Sequence, residues 1–528
     1  MRIARSASHL VLLVVLQTPG LSQIQRAKLI ASDTGAGDEF GLAVSISGDT
    51  AFVGAPYDDD AAEQSGSVYV FERTGATWTE TQKLRASDAA YGDAFGAAVA
   101  VSGDLAVVGA PNRAGGIPGA GAGYVFEKLG GTWTERATLV AGDAAPGAHL
   151  GSVACIAPDR LVLSAWQDPE RGLDAGAVYV FERIAGSWAQ AAKLAGRRTD
   201  AFDACGRSVA LAGDRVLVGA PCEDGAGAQC GAAYLFERGP SGWDEVQRLA
   251  ADDAASYDYL WWSVALDGAT ALVGAIGDDA AGSSSGATYV FERRAAGWAQ
   301  VQKLVASDAA AGDAFGDAIA VSGDEAIVGA LDADALGEQS GSAYRFRRAG
   351  SAWAQAGKLL ALDGHANCLF GAAVSISGSR ALVGANVDDA ACPTLPACRS
   401  GSAYVLELAP DAAAPPDEPG LRASSLPPNP LGLYFTSTVP SSVPAFDALR
   451  RVGGGESSLV RFAPQDSGAI GRIVQGPGIV AWSQSHLPAA ARIAGRQTWN
   501  LQVWYRDPDG PCGATTNYTN AVQVAFHP

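Results

Sequence analysis

The tripeptide Val-Gly-Ala ends at Ala55 and returns in phase at Ala110, Ala165, Ala220, Ala275, Ala330 and Ala385, with only the third copy altered, to Leu163-Ser164-Ala165. Each step is 55 residues. Tyr69, Tyr124, Tyr179, Tyr234, Tyr289 and Tyr344 keep the period, and so do Trp78, Trp133, Trp188, Trp243, Trp298 and Trp353. The seventh tyrosine, Tyr404, comes 60 residues after Tyr344, which places an insertion of five around Cys392 to Cys398. A period this strict constrains the fold more than composition can. One small unit is copied along the chain, and each copy must bury its apolar face against its neighbours.

Each unit holds four strand-like runs, in the first copy Phe40 to Ser47, Thr50 to Ala55, Ser67 to Glu72 and Trp78 to Arg85. They are short, rich in Val, Ile, Tyr and Phe, and separated by Ser-Gly-Asp, Asp-rich or Gly-containing turns. The position of Ser45 is small in every copy, as Ala100, Cys155, Ala210, Ala265, Ala320 and Ser375, which suits a strand crowded near a central axis. Four strands repeated seven times predict an all-β fold, a seven-bladed β-propeller. An open β-solenoid is the alternative, but its coils are shorter and do not consist of four antiparallel strands. The ends of the array support a closed ring. Lys28-Leu29 matches the fourth-strand ends Lys83-Leu84, Lys193-Leu194, Lys303-Leu304 and Lys358-Leu359, yet no first three strands precede it. The last unit stops after Tyr404 to Leu408 without its Trp strand. The surplus N-terminal strand therefore fits the deficit in the seventh blade, and pairing the two would close the ring and remove two sheet edges.

Phe40-Gly41 followed by Gly54-Ala55-Pro56, and again Phe95-Gly96 with Gly109-Ala110-Pro111, resembles the FG-GAP repeat of integrin α-subunit propellers and related bacterial secreted proteins. Phe315-Gly316 and Phe370-Gly371 keep the first half. The resemblance covers Ile24 to Leu408 and implies a propeller closed by the N-terminal strand. It also implies a role in binding proteins or glycans, since few such propellers are attached to enzymes. Integrin-type propellers often carry calcium in an Asp-rich loop between the first and second strands. Here that connection is only Ser47-Gly48-Asp49, too short to wrap an ion, so the family's calcium residues do not carry over.

The acids lie elsewhere. Lys and Arg number 37 against 56 Asp and Glu, a net charge of −19, which disfavours nucleic acid as a partner. In the loop from strand four to strand one, Asp33 and Asp38 recur as Asp88/Asp93, Asp253/Asp258 and Asp308/Asp313. The loop from strand two to strand three carries Asp58-Asp59-Asp60 and its counterparts, such as Asp278-Asp279 and Asp388-Asp389. In an up-and-down blade both loops emerge on one face, so one face is predicted to be strongly acidic. The other carries balanced pairs such as Glu72-Arg73. Two readings of the acids stand: turn capping, in which Asp accepts from nearby backbone N–H groups, and Ca²⁺ binding by six to eight oxygens. Asp33, Asp38, Asp58, Asp59 and Asp60 form the best calcium set. The recurring Tyr and Trp predict blade-to-blade packing. Trp261-Trp262 breaks the pattern, standing one residue out of phase with Phe-Gly in the fifth unit, and two readings stand: a ligand-binding pair that stacks on a sugar ring, or a substituted core position.

Arg2 and Arg5, the apolar run Leu10 to Leu16, and small residues at Gly20 and Ser22 predict a cleaved Sec-type signal peptide over 1–22. Seven apolar residues are too few to span a bilayer. The expectation is a secreted, cell-surface or periplasmic protein with no transmembrane segment. Disulfides are then permitted, and Cys222/Cys230 and Cys392/Cys398, each flanking one short loop, are the predicted local bridges. Cys155 is read as a buried free thiol, and Cys205, Cys368 and Cys512 are unassigned.

After Leu408 the repeat stops. Residues 409–430 are rich in Pro, Ala and Ser and read as a semi-rigid linker. From 431 to 528 short apolar runs such as Trp499 to Tyr505 predict a small β-sandwich-like module. The first reading of function is an exported, non-catalytic binding or adhesion protein, using a propeller face or rim to engage a protein or glycan ligand at the cell exterior. A structural envelope or matrix component is the alternative. A third reading is a polysaccharide-acting enzyme, whose catalytic carboxylate pair should break the repeat. The chain has only five His; His149 and His365 do break the repeat, without a marked nucleophile partner.

Overall fold

The computed structural model describes residues 23–408, apart from 226 and 390–397, and a few strands of a second unit. The two units are Gln23–Ala409, and Met1–Ser22 with Pro410–Pro528. In the second, Leu10–Gln17, Leu431–Thr436, Val460–Arg461, Thr498–Gln502 and Val522–Ala525 share one five-stranded sheet. The expected cleavage site at Ser22, most of the linker and most of the C-terminal module lie outside the described residues. Among the described residues no helix is long and apolar enough to cross a membrane.

Gln23–Ala409 is built of seven four-stranded antiparallel sheets. Blade one consists of Ala43–Ser47, Thr50–Ala55, Ser67–Thr74 and Thr77–Leu84. Blades two to six repeat that order in steps of 55 residues. In blade seven, Ala373–Ser377, Arg380–Ala385 and Ser402–Leu408 share a sheet with Gln23–Leu29, with Lys28 opposite Tyr404 and Leu29 opposite Ala403. The two inner turn residues after strand one begin with a glycine at positive φ, Gly48 at 58°, as a tight hairpin with glycine first requires. Every pairing of a third with a fourth strand carries a register shift, in blade one between Val70 and Phe71 and in blade seven between Gln25 and Ala27. Such bulges increase the local twist of the outer strand.

The core lies between blades. One cluster joins Phe52, Val68, Val70 and Leu84 of blade one to Phe95, Val99, Val108, Tyr124 and Trp133 of blade two. Middle strands are covered on both faces, which is why Thr50–Ala55 and Ser67–Phe71 read as continuous apolar runs and not as alternating ones. The periodic aromatics pack as expected: Trp133 meets Phe52 of the preceding blade edge-on at 4.9 Å.

Two glycines explain the repeated motifs. A Cβ on Gly109 would sit 1.9 Å from the carbonyl oxygen of Gly151, in the next blade; on Gly54 it would sit 2.0 Å from Gly96 O, and on Gly384 2.0 Å from Gly41 O. The glycine of Val-Gly-Ala thus touches the backbone of the Phe-Gly glycine next door. Blade three has Ser164 there, and its buried hydroxyl finds no hydrogen-bond partner among the described residues.

A second contact recurs in all seven interfaces. The third residue after each fourth strand donates its backbone N–H to a Glu or Gln of the next fourth strand: Ser32 to Glu80 (2.9 Å), Ser87 to Glu135 (2.9 Å), Gly142 to Gln190 (2.8 Å), Arg197 to Glu245 (2.7 Å), Asp252 to Gln300 (3.0 Å), Ser307 to Gln355 (2.8 Å) and Leu362 to Gln25 (3.0 Å). Around the axis, Val101 N donates to Ser45 Oγ and Ile46 N to Ser375 Oγ, so the small first-strand position links neighbouring blades. Gly109→Val should destabilise the propeller by about 3 kcal/mol through overpacking. Gly142→Ser, which restores the residue found at Ser32 and Ser87, should stay within about 0.5 kcal/mol of the parent. Chemical denaturation followed by tryptophan fluorescence measures both.

Candidate functional site

The loops from strand four to strand one and from strand two to strand three share one face, as expected. Gly92 N, in the former loop, donates to Glu63 O, in the latter loop of the same blade, at 3.0 Å. The acids on that face are paired. Burial works to raise the Asp33 carboxyl, but hydrogen bonds from Lys83 and Tyr69 outweigh it and hold it below the usual carboxylate range. Lys83 Nζ lies 2.8 Å from both Asp33 and Asp58 and also contacts Asp60. The Tyr69 hydroxyl lies 2.7 Å from Asp33 and from Asp58. Burial acts to lower Lys83, and its three carboxylate partners reverse that and raise it.

The same Asp–Tyr–Asp–Lys arrangement recurs as Asp143, Tyr179, Asp168 and Lys193, and as Asp363, Tyr404, Asp388 and Lys28. In blade five Lys303 bridges Asp253 and Asp278, and Tyr289 bonds Asp278. Blade two swaps the charges: Arg113 stands at the place of Asp58, Thr138 at that of Lys83, and Arg113 pairs with Asp88 at 2.6 Å. In blade four Arg248 meets Glu223 at 2.8 Å.

Of the five expected calcium ligands, Asp33, Asp58 and Asp60 come together, their oxygens within 4.8 Å of one another, around the Lys83 ammonium. Asp38 instead accepts the N–H of Gly35 at 2.6 Å, and Asp59 that of Gln64 at 2.7 Å. Both are turn caps. The Cys222–Cys230 bridge is corrected, because both are free thiols. The loop folds Cys230 beneath the carbonyl of Glu223, with Gly231 N bonded to the same oxygen, while the Cys222 N–H donates to Asp203 O at 3.4 Å. Cys398 is disulfide-bonded; Cys392, its expected partner, lies outside the described residues, as does Cys512. Cys155 is free and half-buried, and burial pushes its thiol up to about 12. Burial does the same for Cys205, to about 12, and for Cys368, to about 11. His149 Nδ1 meets Pro111 O at 3.1 Å, and His365 Nε2 lies 3.4 Å from Asp388.

The repeat breaks most sharply at the axis. The residue after each Phe-Gly position is Leu42, Ala97, Ser152, Arg207, Trp262, Asp317 and Ala372. These residues lead into the innermost strands, so they ring the channel mouth on the loop face. Four are small or apolar, and the other three, in consecutive blades, are a cation, an indole and an acid. They line a cavity of about 240 Å³ with Ala97, Ser152 and Ala318. The Arg207 guanidinium lies 4.4 Å from the Trp262 ring centroid. Burial pushes the Asp317 carboxyl up to about 7, against the opposing effects of the Arg207 charge and a hydrogen bond from Trp262. Burial lowers Arg207 from its ordinary value. The larger cavity, about 600 Å³ at the opposite mouth, is lined mainly by repeated first-turn residues such as Gly213 and Gly268.

Trp261 and Trp262 therefore separate. Trp261 takes the place of the Phe-Gly glycine, with φ 78°, and is wholly buried against Phe291 at 5.3 Å. It is a core residue and not a ligand contact, since the backbone at a glycine position aims its side chain into the blade interface. Trp262 falls in the ring. Arg207 and Asp317 escape a reading that looks for motifs. Aligning the residue after Phe-Gly across the seven copies would have found them. Tyr91, Phe202 and Tyr257, on loops leading into first strands, are exposed on the same face.

Seven consecutive segments, 24–71, 78–126, 133–181, 188–236, 243–291, 298–346 and 353–406, match the FG-GAP repeat. They account for more than half of the chain, which belongs to the FG-GAP repeat family and forms its seven-bladed β-propeller. No curated protein matches it.

Lys83→Met should cost about 3 kcal/mol, because Asp58 would be left buried without its cation. Adding calcium or EDTA should leave the parent melting temperature unchanged. The depressed carboxyls of Asp33, Asp143, Asp253 and Asp388 contribute stability above their unfolded values, which is lost as the pH falls through the folded ones. The raised Lys28 and Lys83 contribute below about pH 10 and lose it as the pH rises further. Melting temperature against pH should thus show a plateau between about pH 5 and 10 with a fall below about pH 4.

Proposed function

We propose that the protein is an exported, non-catalytic binding protein that engages a glycan or protein at the cell exterior through the loop face of its propeller. The observation that carries this reading is the Arg207–Trp262–Asp317 break in an otherwise small and apolar ring, on the face that also exposes Tyr91, Phe202 and Tyr257. Exposed aromatics around a polar centre are the composition of a recognition surface. The FG-GAP propeller fold often serves binding and adhesion. Against catalysis, the ring offers one carboxyl where glycoside hydrolysis uses a flanking pair, and the buried thiols are protonated near neutrality. The signal-like N-terminus supports export.

The N-terminal strand is the latch of the ring in this reading. It supplies Lys28 to the lattice of blade seven and Gln25 to the last interface contact. A chain lacking residues 23–29 would leave Ser402–Leu408 as an open edge. It should melt at a lower temperature and self-associate in analytical ultracentrifugation.

A glycan array and an envelope pull-down with the full chain test the function. Binding should disappear in the Trp262→Ala/Tyr257→Ala double variant while its melting temperature holds. Binding that survives the double variant would move the site off the loop face, and turnover of a polysaccharide would refute the non-catalytic reading.

A further inference from the structure

The Arg207 guanidinium makes no hydrogen bond or ion pair with a protein acceptor among the described residues. It stacks on the face of Trp262. This is unusual for the chain, whose other half-buried cations are anchored. Arg160 meets Asp214, Arg248 meets Glu223, and each lattice lysine meets one to three carboxylates. The Arg207 guanidinium is half-buried at the channel mouth, with its nitrogens open to solvent, and a guanidinium presents a rigid planar fork of donors suited to two oxygens of one carboxylate. Stacking on Trp262 holds the plane of that fork.

Asp317 stands in the next blade, across Trp262, and is not within ion-pair distance of Arg207. The ring thus offers an unfilled cationic fork, and beyond it a carboxyl that can bond hydroxyls. Ser152, on the opposite side, already donates to His149 O at 2.7 Å and so keeps its lone pairs for a ligand donor. The walls between are Ala97 and Ala318. The cavity, about 240 Å³, is below the usual range for a drug-sized ligand, roughly 300–1,000 Å³. It admits one compact end group.

We infer that the channel mouth binds the carboxylate of a sugar acid, a uronate end group, with Arg207 clasping the carboxylate and Asp317 and Ser152 bonding the ring hydroxyls. The inference rests on the binding function proposed above and names its ligand class. A dianionic phosphate would bring a second negative charge toward Asp317, in a protein of net charge −19. An amino-acid zwitterion would need Asp317 charged inside the cavity, whereas hydroxyls serve either protonation state.

Isothermal titration of the full chain with glucuronate, galacturonate, glucose and alanine tests it. Either uronate should bind, and glucose and alanine should bind at least tenfold more weakly. Arg207→Gln and Arg207→Lys, the second keeping charge but losing the fork, should each weaken the uronate at least tenfold with unchanged melting temperature. Uronate affinity unaltered in both variants, or glucose or alanine bound as tightly as the uronates, overturns the inference. So does silence of both uronates at millimolar concentration. If in that case the array still records a ligand that the Trp262→Ala/Tyr257→Ala variant loses, the binding function stands and only the sugar-acid assignment falls. A silent array and pull-down would remove the binding function itself.

Discussion

The spacing of the blades depends on a contact with no side chain in it. The second-strand glycine of one blade lies against the carbonyl of the Phe-Gly glycine of the next, so close that a Cβ at Gly54, Gly109 or Gly274 would overlap the oxygen. With the inner strands drawn together at that point, the sheets splay outward, and the wedge between them is filled by the phenylalanine, tyrosine and tryptophan of each repeat. Interiors packed at this density tolerate little change in volume. That is why the motif is copied so closely.

Outside that wedge, charge takes over. The acids that give the chain its negative balance are not a uniform field on one face. Many are tied into buried sets, in which a tyrosine hydroxyl and an ammonium satisfy two carboxylates from two different loops. Such a set is harmful when one partner is missing, and blade two illustrates the constraint: where the loop acid is replaced by Arg113, the strand lysine is gone as well, as Thr138. The opposite face carries ion pairs that step from blade to blade, such as Lys128 with Glu72 and Arg183 with Glu127.

Much of this was legible in the residues. Seven copies of Val-Gly-Ala (one altered) and of Tyr, and six of Trp, led to seven blades because period and pattern are local properties that the chain displays in order. The turn-capping role of Asp38 and Asp59 was likewise open to a sequence reading, since an Asp side chain reaches backbone only a few positions away. The cation held by Asp33 and Asp58 was not. It comes from Lys83, 50 residues after Asp33, and only the pairing of strand three with strand four brings it beneath the loops. Cys222 and Cys230 are close in sequence, but the loop turns Cys230 inward under Glu223 and leaves Cys222 half-buried outside it.

By itself the sequence determined the number of blades, the strands within each and the faces on which the loops emerge, because a repeated unit must meet its neighbour in the same way each time. Only the tertiary structure decided which departures from the repeat matter. Trp261 and Trp262 are adjacent in the chain and look alike as residues. The positive-φ backbone sends the first into the core, and the closure of seven inner strands around one axis sets the second between Arg207 and Asp317, each 55 residues away.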